Sequence, residues 1–369
     1  MVELKEEDIP TGLGYTIPKW AFIGRKDITK VEIPSRIREI GEGAFYDCSG
    51  LIKLRLPDTL TKIGRCCFQE CFGLTEIWLP DTLTKIGNQA FYGCSGLTEI
   101  RLPDTLTEIG NHAFTGCSCL IEIKFPGSLT KIGNWAFRGC SGLKKLRLPD
   151  TLTKIEAHTF RGCSGLTQLR LPDTLTKIWA SAFHGCSGLT EIRLPDTLTY
   201  IGEGAFLGCS GLTELWLPGS IKSLGAHAFG ECTSLRNLSI NSIIQFERSY
   251  ISRIDIYHQF KGCFSLKAVF ASAEVVSKFP EDMFEDCGTP VSTLLANSTP
   301  DQGLWYYCTP KNYQLCSLVN KNAVLTILLV NNRFNSYSEL EKKDVSRGLP
   351  IELCYEILSF VCRHQLGRK

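Results

Sequence analysis

The stretch Ala90-Phe91-Tyr92-Gly93-Cys94-Ser95-Gly96-Leu97-Thr98-Glu99-Ile100-Arg101-Leu102-Pro103-Asp104-Thr105-Leu106-Thr107-Glu108-Ile109-Gly110-Asn111-His112 decides how this chain folds, because it returns almost unchanged along most of the sequence. Cys48, Cys71, Cys94, Cys117, Cys140, Cys163, Cys186, Cys209 and Cys232 recur every 23 residues, and Phe45, Phe68, Phe91, Phe114, Phe137, Phe160, Phe183, Phe206 and Phe229 keep the same step. A period in the twenties with regular leucine means a solenoid. Each unit cannot bury its apolar face alone and does so by stacking on its neighbours.

Elementary pattern rules assign the positions of the unit. Leu-Thr-x-Ile-x-Leu alternates as a strand with one buried face does, so Leu97, Ile100 and Leu102 point inward while Glu99 and Arg101 point out. Pro103-Asp104 ends the strand and turns the chain. Thr105-Leu106-Thr107 reads as a second extended segment with Leu106 inside, and Gly110 permits a tight corner. Around Ala113-Phe114 the expectation is one helical turn whose phenylalanine fills the core.

Weaker copies flank the regular run. One begins at Ala21-Phe22 with Arg25 in the cysteine position; another, at Phe260-Lys261-Gly262-Cys263, follows an insertion near 241–259; a last decayed unit surrounds Phe284 and Cys287. The predicted organisation is an N-terminal cap over residues 1–20, repeats over 21–290, and a small helical C-terminal region over 291–369. About eleven coils at a strand spacing of about 4.8 Å give a rod about 50 Å long.

The pattern A-F-x-G-C-x-x-L-x-x-I-x-L-P-x-x-L-x-x-I-G resembles the BspA-type leucine-rich repeat, over about residues 20–290. The resemblance implies a leucine-rich-repeat solenoid with a parallel sheet face, and a protein- or surface-binding module, not an enzyme. The family occurs in bacterial surface proteins, parasitic protozoa and some intracellular bacteria, so two settings stay open: an intracellular scaffold or effector, and a cell-surface adhesin of the BspA type.

Composition narrows the classes. The 369 residues carry 40 Lys+Arg against 38 Asp+Glu, a net +2, which excludes nucleic-acid binding by bulk charge. The first residues lack an apolar core of signal-peptide length, and Ala323 to Val330 is too short to span a bilayer. The expectation is therefore a cytoplasmic monomer, or one delivered into a host cell as an effector, with no membrane span.

Three groups of residues carry side chains capable of chemistry. The cysteines sit at one inward position of parallel coils, a geometry that suits neither disulfides nor a tetrahedral metal site, so they read as buried reduced thiols. Cys66, Cys67 and Cys119 lie off that column. His112, His158 and His227 share one repeat position, but a coil bearing Trp135 separates the nearest two by about 10 Å in all, too far for a shared zinc ion. No metal, cofactor or catalytic group is expected. A lysine-rich column, Lys62, Lys85, Glu108, Lys131, Lys154 and Lys177, reads as a solubilising edge.

The outward side of the strands is the informative feature. One column runs Glu32, Arg55, Trp78, Arg101, Lys124, Arg147, Arg170, Arg193, Trp216, Ser239; its neighbour runs Lys30, Lys53, Glu76, Glu99, Glu122, Lys145, Gln168, Glu191, Glu214, Asn237. Six basic residues in file repel one another, and the glutamates beside them offset this at both ends but not at Lys145, Arg147 and Arg170. Arginine and tryptophan are the side chains enriched at binding hot spots. The predicted partner surface is Trp78, Arg101, Lys124, Lys145, Arg147, Arg170, Arg193 and Trp216, facing a protein with acidic and apolar groups. The alternative is a solvated, self-neutralising ladder left by duplication, which does not account for the two tryptophans.

Beyond residue 291 the period is lost. Leu349-Pro350-Ile351-Glu352-Leu353-Cys354-Tyr355-Glu356-Ile357-Leu358-Ser359-Phe360 reads as an amphipathic helix with Pro350 in its first turn. It resembles the core of F-box-like motifs, which dock on a ubiquitin-ligase adaptor, and that resemblance implies docking through Leu349, Pro350, Leu353, Ile357 and Leu358. The competing reading is a helix that caps the open end of the solenoid.

Overall fold

The computed structural model describes residues 2–4, 8–9, 15–240, 242–249 and 257–289. Within them the chain winds into a solenoid with two parallel sheets. The first is built from the Leu-x-x-Ile-x-Leu segments: Val2–Leu4, Ile28–Glu32 and Lys53–Arg55; Glu76–Trp78 and Glu99–Arg101; Lys145–Arg147 and Gln168–Arg170; and Glu214–Leu217, Asn237–Ile240 and Ala268–Ala271. The second begins at Thr16–Ile17 and continues, one two-residue strand per coil, through Glu39–Ile40 and Lys62–Ile63 to Lys131–Ile132, then from Lys154–Ile155 to Gln245–Phe246. Both sheets thus start within the segment expected to cap the N-terminus. The second strand of the quoted unit is Glu108–Ile109, directly after Thr105-Leu106-Thr107, because Pro103 O accepts the Leu106 amide and holds that segment as a turn.

Phenylalanine forms the axis of the core. Rings from Phe22 through Phe45, Phe68 and each periodic Phe to Phe229, Phe260 and Phe284 stack with centroids 4.9–5.6 Å apart. The ladder crosses the insertion, since Phe229 and Phe260 remain stacked at 5.6 Å. Burying a phenylalanine side chain stabilises by about 1.5–3 kcal/mol, and each coil contributes one.

The Ala-Phe segment is a run of turns, not a helical turn; the one α-helix among the described residues is Ala273–Val276. The physical reason is the residue just before Ala-Phe. Trp20, Gly43, Cys66, Gln89, His112, Trp135, His158, Ser181, Gly204 and His227 all occupy the left-handed region, which interrupts any helix.

Two repeated residue types hold coil to coil by contacts the pattern alone does not announce. The threonine after Pro-Asp donates its hydroxyl to carbonyls of the preceding coil, as Thr105 does to Asp81 O at 2.8 Å and Leu83 O at 3.0 Å. The glycine after Cys-Ser leaves room for backbone: a Cβ on Gly165 would lie 2.2 Å from Ser141 O.

Candidate protein-binding face

The periodic thiols are buried, and each has a hydrogen-bond partner. Cys94 Sγ donates to Phe68 O at 3.1 Å and Cys140 Sγ to Phe114 O at 3.2 Å, and the relation holds from Cys48 to Cys287. Desolvation pushes the Cys94, Cys163 and Cys209 thiols up to about 12, and Cys71, Cys117, Cys140, Cys186 and Cys232 well above the usual thiol range. Such thiols are poor nucleophiles and poor metal ligands. Arg25, standing where the first cysteine would be, is held outside by Asp27 at 2.7 Å. Cys119 is exposed.

The lysine-rich column decorates the second sheet. There Lys62 pairs with Glu39 at 3.2 Å, and Glu108 sits between Lys85 at 3.2 Å and Lys131 at 2.7 Å. These cations, chiefly Lys131, hold the Glu108 carboxyl below the usual range. From Glu39 to Lys131 the column neutralises itself between coils; Lys154 pairs with Glu156 of its own coil, and Lys177 lies over the Trp179 ring.

The outward face of the first sheet differs. Register places Trp78 beside Arg101, Lys145 beside Gln168, and Arg147 beside Arg170. Toward the N-terminal end Arg55 reaches Glu32 at 3.1 Å. Among the described residues Arg101, Lys124, Lys145, Arg147, Arg170 and Arg193 form no ion pair, and all six are exposed. Lys124 and Arg193 lie on coils where the regular ladder lapses; around Lys124 only the isolated bridge Glu122–Lys145 remains. Trp78 is the most exposed large apolar side chain described, at 62%. Trp216 is half-buried, so the two tryptophans are not equivalent. Leu349, Pro350, Leu353, Ile357 and Leu358 lie outside the described residues.

On the turn face, the histidine position forms an aromatic stack that spacing did not reveal. Trp135 lies face to face with His158 at 3.6 Å between centroids and with His112 at 5.7 Å. Arg138 and Arg161 stand 5.0 and 5.9 Å from the Trp135 ring. Burial, then the Arg161 charge, lowers His158 to about 4. His227 meets His258 instead, whose Nε2 is 2.6 Å from Glu285 Oε2. Among the described residues no group of three or more His, Cys, Asp or Glu could hold a metal ion.

The profile of the BspA type leucine rich repeat region, six copies, matches residues 15–144 and 140–254. The chain belongs to this leucine-rich-repeat family. Among solved structures it is similar to a leucine rich cell surface protein of Faecalibacterium prausnitzii, at 25% identity over 71% of this chain and 78% of that one, with a TM-score of 0.48. It is also similar to a leucine-rich repeat protein of T. pallidum, at 30% identity over 47% of this chain and 71% of that one, TM-score 0.36. A third is a leucine-rich repeat protein from Bacteroides ovatus, at 28% identity over 74% and 85%, TM-score 0.38. No curated protein matches the chain. Among the described residues of this BspA-type protein, no helix is long and apolar enough to cross a membrane.

Proposed function

We propose that this protein is a non-enzymatic binding module that takes a protein partner on the outward face of its first sheet. The observation that carries the reading is the contrast between two cationic files of one solenoid. On the second sheet Lys62, Lys85, Lys131 and Lys154 each pair with a glutamate and Lys177 lies over Trp179; on the first, Arg101, Lys124, Lys145, Arg147, Arg170 and Arg193 form no ion pair among the described residues and share the face with the exposed Trp78. Unpaired like charges at coil spacing are held together at a cost in stability, which an acidic partner would offset. Trp78 and Trp216 lie six coils apart, about 29 Å at the strand spacing, a span suited to a protein interface. Arginines in register can each grip a carboxylate bidentately.

A monomer acting in the cytoplasm, its own or that of a host cell, fits the thiol column, which is built from reduced cysteine. The adaptor version of the reading rests on the Leu349–Leu358 segment alone.

Affinity capture with the wild-type chain, Trp78→Ala and the double reversal Arg147→Glu/Arg170→Glu tests the proposal. A specific partner should be retained by the wild type. It should bind Trp78→Ala about 30-fold more weakly, the equivalent of a hot spot of about 2 kcal/mol. It should associate more slowly with the charge-reversed chain, and with less salt dependence. A partner held equally by all three chains places the site elsewhere.

A further inference from the structure

The turn face carries a second feature that partner binding on the sheet does not use. In the left-handed position before Ala-Phe the fold accepts glycine without strain, as Gly43 and Gly204 show. Gln89, His112, Trp135 and His158 nevertheless hold φ of 57, 56, 62 and 59° there. A bulky residue in this conformation is uncommon and costs stability, and such strain gathers at functional sites. Trp20, Cys66, Ser181 and His227 hold the same conformation, so it belongs to the coil; particular to the middle coils is the stack of His158, Trp135 and His112, beside which Arg138 and Arg161 are placed.

The two arginines follow one another in the same column, one coil apart, and both are anchored to one indole. Neither forms an ion pair among the described residues. Beside them runs a glycine floor, Gly116, Gly139, Gly162, Gly185 and Gly208, all with positive φ, where an added Cβ would meet only the neighbouring glycine. At the ends of the rod that same position is Asp47, Glu70 and Glu231. Between Glu70 and Glu231 that column carries no acid. The nearest carboxylate in sequence, Glu156, is engaged by Lys154 at 2.7 Å. The histidines beside the pair add no charge of their own at neutral pH: burial, and then these arginines, hold His112, His158 and His184 below the usual imidazole range.

We propose that Arg138 and Arg161 form an anion site that takes a phosphoryl dianion. Charge complementarity favours a phosphoryl group over a carboxylate. One guanidinium satisfies a carboxylate, which would leave the second cation uncompensated, whereas a phosphate monoester brings close to two negative charges and three acceptor oxygens. Contact with the Trp135 ring, 5.0 and 5.9 Å from the two Cζ atoms, restrains both side chains before binding, so less side-chain freedom is lost when the anion arrives. The open glycine floor admits the group to which the phosphate is attached.

The test is fluorescence anisotropy of a dye-labelled phosphoserine peptide with the full chain at low salt. Wild type should bind it at least about tenfold more tightly than the same peptide with serine or glutamate in place of phosphoserine. Arg138→Gln/Arg161→Gln should lose about tenfold or more in affinity with its circular dichroism unchanged, and Arg138→Lys/Arg161→Lys should recover only part, since lysine lacks the planar fork. Arg147→Gln/Arg170→Gln on the sheet should bind as wild type does, which separates this site from the sheet-face reading. Competition by inorganic phosphate at the affinity of the peptide supports the site and assigns it to small phosphorylated molecules; weaker competition assigns it to phosphorylated protein. Equal binding of the glutamate and phosphoserine peptides, equal loss in the sheet-face variant, or tighter binding of a single-stranded oligonucleotide overturns the proposal.

Discussion

Raising the pH should unfold this solenoid through its thiol ladder. Cys71, Cys94, Cys117, Cys140, Cys163, Cys186, Cys209 and Cys232 are fully buried, with thiols pushed from the usual 9.0 to about 12 or well above the usual range by desolvation. A group whose pKa is raised on folding keeps its full contribution below the unfolded value and loses it as pH climbs toward the folded one. The window therefore opens near pH 9 and extends to about 12. At pH 9 each unfolded thiol is half ionised, favouring the unfolded chain by RT ln 2, about 0.4 kcal/mol; over eight thiols that is about 3 kcal/mol. At pH 10 the figure is about 1.4 kcal/mol each, about 11 kcal/mol together, comparable with the whole stability of a typical domain.

Urea unfolding followed by circular dichroism in reductant, between about pH 7 and 10, should show a midpoint almost flat to about pH 8 and falling steeply beyond 9. Replacing Cys117, Cys140, Cys163 and Cys186 by serine, which does not ionise here, should roughly halve the slope. Thiolate absorbance should rise only together with the loss of circular dichroism. A midpoint that does not move between pH 7 and 10, or thiolate appearing in a chain that keeps its fold, refutes the reasoning.

Two further outcomes test the core. Phe137→Ala removes a ring stacked on Phe114 at 5.2 Å and Phe160 at 5.6 Å and should cost about 3–5 kcal/mol in chemical denaturation. Gly165→Ala should cost about 1–3 kcal/mol, because the new Cβ would lie 2.2 Å from Ser141 O, whereas Gly127→Ala, with nothing within 4 Å, should be neutral or stabilise by up to about 1 kcal/mol.

How much of this was legible depended on whether a residue's role is local. The inward set Leu97, Ile100, Leu102 and Phe114 follows from alternation and period, and all four are buried. Trp78 and the arginines of the first sheet follow from the same alternation. What alternation leaves out is the partner one coil away. Thr105 looks like a surface residue until Asp81 O and Leu83 O are brought beneath it, and the cysteines look like small hydrophobes until the Phe carbonyls appear beside them. The stack of His112, Trp135 and His158 was hidden for the same reason, and its left-handed backbone carries no sequence mark where glycine is absent. The lysine column was legible as a solubilising edge, but its pairing through Glu39 and Glu108 was not, nor that Trp216 would be half-buried while Trp78 stays in solvent.

The near-zero net charge conceals an ordered distribution around the coil. Each Pro-Asp turn places an acid at one corner, and Asp58, Asp81, Asp104, Asp150, Asp173 and Asp196 are all exposed there. The middle coils place their unpaired cations on two other sides, Arg147 and Arg170 on the first sheet and Arg138 and Arg161 on the turn face. The whole chain sums to +2, yet the charges of this corner and of these two sides are not mixed. A rod with an acidic corner and cationic faces repels an acidic partner from the first and draws it to the second, so the field fixes the orientation of approach before contact. That argument concerns the variable columns only. Positions that nearly every coil fills alike, such as the Phe rings, the thiols and the Gly165-type glycines (replaced only by Cys119 and Ser234 between Gly50 and Ser234), serve the stack. Positions whose side chains leave it are free to differ, as they do at Trp78, Trp135, Arg138 and Arg161, the residues on which both proposals rest.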